Sequence, residues 1–123
     1  MIKNFLLVFI GGGLGSSLRF LISKYLNAGH LIPCGTFLVN ILGSLLLGII
    51  LGWAIKNNAL NTPVNLILAT GFCGGFTTFS TFSFENFSLI KSGDYSSFAL
   101  YFFGSLILGI LAVFVGILIS KLF

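Results

Sequence analysis

The stretch Gly71-Phe72-Cys73-Gly74-Gly75-Phe76-Thr77-Thr78-Phe79-Ser80-Thr81-Phe82-Ser83-Phe84 interleaves glycines, hydroxyls and phenylalanines without a charge. A helix facing only lipid has no use for that mixture. Gly71, Gly74 and Gly75 weaken a helix, and backbone released from the helical ladder is tolerated at membrane depth only against other protein or a watery cavity. The segment therefore reads as a broken helix at a conduction or binding site.

Working outward, the rest of the chain asks for lipid as its solvent. Of 123 residues 57% are apolar and only 7% are charged, too few to keep a water-facing surface wet. Tyr25 to Ile55, Asn57 to Phe84 and Tyr95 to Ser120 contain no Asp, Glu, Lys or Arg, and each exceeds the roughly 20 residues that cross a bilayer. A further span fits Asn4 to Ser23 if Arg19 lies near one end, snorkelling or facing a polar cavity. A cleaved leader is the alternative for this first segment, since Lys3 precedes an apolar run and small residues follow. Turn residues at Asn27-Ala28-Gly29, Lys56-Asn57-Asn58, Asn61-Thr62-Pro63 and Lys91-Ser92-Gly93-Asp94 separate the spans. The expectation is an all-α integral membrane protein, one four-helix domain over 1–123, with helices at about 4–25, 32–54, 63–90 and 96–121 and the third broken. Trp53, Tyr25 and Tyr95 fall near span ends, as headgroup anchors do.

Lys3, Lys56 and Lys121 mark one side of the four-helix arrangement, and Lys24 and Lys91, with Arg19 close by, mark the other. Orientation follows that count, and it is nearly a tie. So even a balance permits insertion both ways and an antiparallel dual-topology homodimer. A pore forms more readily between two such subunits than inside four short helices. Small-xxx-small spacing at Gly11/Gly15, Ser44/Gly48, Gly48/Gly52, Gly71/Gly75 and Ser105/Gly109 predicts close helix packing.

Polar residues at depth mark candidate pathway positions. Asn40 shares a helix face with Thr36 and Gly43, and either joins helices or lines a pore. Phe79 and Phe82, three apart, present two rings on one side of the third helix, beside the hydroxyls of Thr78 and Thr81. Ring edges are electropositive and could hold an anion that has shed water; ordinary core packing is the other reading. Tyr101 and Ser105 form a short polar track on the fourth span, which Gly109 continues without a side chain. Glu85 and Asp94 are the only acids and His30 the only histidine, so no acid–base pair or metal cluster for catalysis exists and the chain is read as no enzyme. Cys34 and Cys73 are isolated and read as packing residues.

Gly71 to Phe82, Gly11-Gly12-Gly13-Leu14-Gly15-Ser16-Ser17-Leu18-Arg19 and Gly35-Thr36-Phe37-Leu38-Val39-Asn40-Ile41-Leu42-Gly43-Ser44 together resemble the CrcB or Fluc family of small dual-topology fluoride channels. Ser16, Phe20, Phe37 and Phe76 depart mildly from the usual pattern and remove no functional group. The resemblance implies a passive, fluoride-selective pathway in a bacterial cell (inner) membrane, lowering fluoride toxicity, formed by an antiparallel homodimer in lipid with no nucleic-acid partner. It assigns Phe79 and Phe82 to paired pore rings, Asn40 to a pore-facing amide, Tyr101 and Ser105 to polar lining and Arg19 to a vestibule. Gly74 and Thr77 correspond to carbonyl ligands of a structural Na+ on the dimer axis. Hydroxyls of Ser80 and Thr81 join Asn40 as replacements for water around the ion. Glu85, three residues after Phe82, either sits at the vestibule as a hydrogen-bonded carboxylate or takes part in passage. The rival reading, a small proton-coupled multidrug-type transporter, would be expected to carry an acid in the first helix, where none stands.

Overall fold

The computed structural model describes residues 1–123 and is entirely helical, with four spans long and apolar enough to cross a membrane. Helix α1 covers Ile2–Leu26 and α2 covers Cys34–Lys56. The third span, Pro63–Lys91, is broken into α3 (63–76) and α4 (Phe79–Lys91), and α5 covers Tyr95–Ser120. At about 1.5 Å per residue, the 25 residues of α1 and the 26 of α5 exceed a hydrocarbon core of about 30 Å. Short turns force the spans to alternate in direction, which returns both termini to one side.

Local sequence explains the helix starts. Pro63 opens α3 behind Thr62, whose side chain accepts from Asn65 N at 3.3 Å, and Asp94 Oδ1 accepts from Ser97 N at 3.2 Å to start α5. Asn27 does this across a turn. It ends α1, and its Oδ1 accepts from Gly35 N at 2.7 Å and Thr36 N at 3.2 Å, two of the free donors in the first turn of α2.

Glycine makes the packing. A Cβ on Gly15 would run into Phe72 O and stand 2.8 Å from Phe76 N; one on Gly11 would run into Ile67 O. The first segment thus packs against α3 backbone to backbone, as an integral span does. Across the bundle α2 and α5 cross where Gly48 meets Gly116: a Cβ on Gly48 would stand 3.1 Å from Gly116 Cα, and one on Gly116 would meet Leu45 O. Association in lipid rests on such close approach, because lipid tails are as apolar as the side chains. The outward faces carry exposed Phe5, Phe9, Phe103 and Phe114.

The break lies further along than the glycines indicated. Gly74 keeps helical angles, φ −62° and ψ −38°, whereas Thr77 and Thr78 are extended, with ψ 155° and 123°. Gly71 and Gly75 are occupied with α1: a Cβ on Gly71 would stand 3.0 Å from Gly11 Cα, and one on Gly75 would overlap Gly12 O. Leu66–Cys73 is wound as a π-helix, a widened turn common at functional sites.

Candidate functional site

Three helices supply the polar groups that keep the break at Thr77–Thr78 stable in a bilayer. Thr78 N donates to Asn40 Oδ1 at 2.8 Å, and Asn40 Nδ2 donates back to Thr78 O at 3.3 Å. The Asn40 side chain thereby occupies the place of a neighbouring peptide. From α1, Arg19 Nε donates to Gly75 O at 3.0 Å and Ser16 Oγ to the same carbonyl at 3.4 Å. Thr77 Oγ1 donates to Cys73 O at 2.9 Å. Thr78 Oγ1 accepts from Thr81 N at 3.3 Å, capping α4. Because Thr78 N turns to Asn40, the Gly74 carbonyl loses its i+4 donor, and Thr77 O lies outside the ladder as well.

An open groove of about 380 Å³ runs past the break, walled by α2, α3, α4 and α5. Asn40, Ser44, Gly74, Thr77, Phe79, Phe82, Ser105 and Gly109 lie along it, with Thr70, Cys73 and Thr78. No charged residue lines it. The Phe79 and Phe82 centroids are 6.3 Å apart with planes inclined by 42°. Their settings differ. Phe82 is 5% exposed and packed on Tyr101 (5.2 Å) and Phe102 (5.9 Å), while Phe79 is 79% exposed. Phe79 is also the first residue of α4, so the positive end of that helix opens at the groove. Ser105 Oγ is buried there without a partner in the chain.

Beyond Phe82, Glu85 is the hub of a second cluster. Its Oε2 accepts from Thr36 Oγ1 at 2.9 Å and Asn27 Nδ2 at 3.4 Å, and its Oε1 from Tyr101 OH at 2.9 Å. Glu85 also lines an open cavity with His30, Asn27, Ser88 and Ser92. Glu85 thus accepts three hydrogen bonds and lines an open cavity. Tyr101, only 1% exposed, spends its hydroxyl on Glu85 and supports Phe82 from behind.

Of the residues singled out in the sequence, the groove gathers Asn40, Phe79, Phe82, Ser105, Gly74 and Thr77. Glu85 and Tyr101 stand together next to it. Arg19 lies at the break, bonded to Gly75 O, and Ser80 and Thr81 are outside the groove lining. Asn40 proves to be an interhelical link and a groove residue at once. Sequence reasoning missed Asn27 as a partner of Glu85, and Ser44 and Thr70 as groove hydroxyls. The four-residue spacing of Thr36, Asn40 and Ser44, and of Thr70 and Gly74, carried that signal.

The family model described as CrcB-like protein, camphor resistance (CrcB), matches residues 6–117. The chain belongs to the CrcB family. It is 45% identical over 125 residues to the fluoride-specific ion channel FluC of Azobacteroides pseudotrichonymphae, across 100% of both chains. Identity to the protein of that name from Phocaeicola vulgatus is 50% over 121 residues, covering 97% of this chain and 99% of the relative. The FluC of Pyrococcus furiosus is 41% identical over 120 residues, covering 98% of each. This CrcB-family chain is a multi-pass membrane protein, and its α1 holds no acid where a proton-coupled transporter would be expected to carry one.

Proposed function

We propose that this protein is a passive, fluoride-selective channel that lets fluoride leave the cytoplasm and so limits its toxicity. The observation that carries the reading is the uncharged groove at the helix break. Two phenylalanines, an asparagine amide, an unpartnered serine hydroxyl and the N-terminal end of α4 converge on it. Fluoride is small and tightly hydrated, so a selective path must replace its water with several donors in a narrow space. Hydroxyls, amides, positive ring edges and a helix N-terminus are such groups. The names of the relatives agree with this chemistry.

The groove is open on one side, and Phe79 stands exposed there. A second, antiparallel copy would close it, and the balanced charge of the two loop faces permits that insertion. Phe79 and Phe82 would then offer ring edges to the ion, with Asn40 and Ser105 as donors, Tyr101 as support for Phe82 and Glu85 at the mouth. Arg19 would place a positive charge near the break.

The carbonyl of Gly74, freed because Thr78 N turns to Asn40, and that of Thr77, freed because Thr81 N turns to Thr78 Oγ1, suit a hard cation, which prefers oxygen ligands. A structural Na+ held by these carbonyls from both copies would offset the cost of bringing an anion to this depth.

Liposomes loaded with potassium fluoride, given a potassium ionophore and followed with a fluoride electrode, test the reading. Rapid fluoride release without chloride release is expected; vesicles that hold their fluoride despite an assembled dimer refute it.

A further inference from the structure

Along one face of α5, Tyr101, Ser105 and Gly109 follow at four-residue spacing. The Tyr101 hydroxyl is committed to Glu85, and Ser105 Oγ is unpartnered in the groove. One turn on, at Gly109, α5 offers no side chain at all. A Cβ placed there would find one atom within 4 Å, Ser44 Oγ at 3.9 Å. Ser44 lies on α2, one turn beyond Asn40, and lines the same groove as Ser105 and Gly109. Some hydroxyls donate within the chain, Thr36 to Glu85, Thr77 to Cys73 O and Ser120 to Ile117 O, whereas Ser44, like Ser105, donates to none of its neighbours.

We propose that Ser44 continues the polar track of α5 from the opposite wall, supplying at the level of Gly109 the hydroxyl that α5 lacks, and that it contacts fluoride directly. The inference rests on the fluoride-channel reading and adds a residue to it. A desolvated anion needs a donor at each step of about one helical turn, roughly 5.4 Å. Without Ser44 the track would end at Ser105. Gly109 and Ser44 are then complementary: the missing side chain on one helix makes room for the hydroxyl from the other.

Complementarity makes the test specific. Ser44→Ala removes one oxygen, and fluoride efflux from liposomes should fall about tenfold, the size expected for losing one hydrogen bond to a charged group, with dimer elution and thermal stability unchanged. Ser44→Ala combined with Gly109→Ser returns a hydroxyl from the α5 side, where a new side chain meets only the atom that alanine has removed. Efflux should recover to within about threefold of the parent, one hydrogen bond again being available to the ion. Unchanged efflux in Ser44→Ala overturns the inference, as does a loss that Gly109→Ser leaves in place, since a packing role for Ser44 would not be restored from the other helix. Both outcomes leave the channel reading intact if the parent conducts; a parent that does not conduct removes that reading and the inference together.

Discussion

Replacing Asn40 with leucine tests how the broken helix is held. Leucine keeps the branched outline, with methyls in place of the amide atoms, but gives nothing to Thr78. The 2.8 Å bond from Thr78 N is short and its loss leaves a peptide N–H unpaired in an apolar setting, at about 1–3 kcal/mol. The 3.3 Å bond from Nδ2 to Thr78 O is long, and its loss adds about 0.5–1 kcal/mol. Together they predict a stability loss of about 1.5–4 kcal/mol if the break cannot relax. Reversible unfolding in mixed micelles measures this, and fluoride efflux should fall at least tenfold because the groove loses its amide. Asn40→Gln keeps the amide but displaces it by one methylene, so it should lie between parent and leucine in both assays. A leucine variant as stable as the parent would show that the extended conformation at Thr77 and Thr78 needs no support from α2, and the account of the break would be wrong.

The packing of α1 on α3 predicts that Gly15→Ala costs about 2–3 kcal/mol, since its Cβ would overlap Phe72 O, whereas Gly13→Ala, with nothing within 4 Å, melts like the parent. Glu85→Ala leaves Thr36, Tyr101 and Asn27 donors without their acceptor and should lower stability by about 2 kcal/mol more than Glu85→Gln, which keeps one acceptor oxygen; thermal melts of the two compare directly. Phe79→Ile and Phe82→Ile should both cut efflux, but only the second should destabilise the subunit, by about 1–3 kcal/mol, because Phe82 is packed and Phe79 is not. Protein purified and reconstituted with N-methylglucamine in place of sodium should melt earlier and conduct less; identical behaviour in both ions would remove the cation from the break.

Much of this fold could be read from charge. The gap at Tyr95–Ser120 coincides with its span, and those at Tyr25–Ile55 and Asn57–Phe84 overlap theirs with ends offset by up to nine residues, because a charge at the bilayer centre is costly while uncharged turn residues extend a gap past the helix. The position of the break was not readable in the same way. Gly71 and Gly75 weaken a helix in isolation, yet contact with Gly11 and Gly12 keeps them helical, and the chain opens two residues later where Asn40 can pair with Thr78. Propensity is local and this decision is tertiary. The same holds at Glu85, whose partners Asn27, Thr36 and Tyr101 come from a turn and two helices. Spacing along α2 put Thr36, Asn40 and Gly43 on one face, but did not show that Ser44, one turn beyond Asn40, stands across from Gly109.

The three sequence stretches that resemble one family converge on the four residues Gly75 to Thr78. Ser16 and Arg19 from the first stretch donate to Gly75 O, Asn40 from the second pairs with both backbone polar atoms of Thr78, and a Cβ on Gly43 would overlap the Thr77 side chain. An unsatisfied peptide group in a bilayer costs several kcal/mol, so a broken span requires polar side chains from its neighbours at defined heights. That requirement explains why an arginine, a serine and an asparagine stand in otherwise apolar helices. Each gives at least one hydrogen bond to the break, while the unpartnered hydroxyls of Ser105 and Ser44 and the carbonyls of Gly74 and Thr77 belong to residues that line the groove. Hydroxyl donors suit an anion and free carbonyls suit a cation, so the polarity that the break leaves unspent is divided between the two ions proposed to meet there.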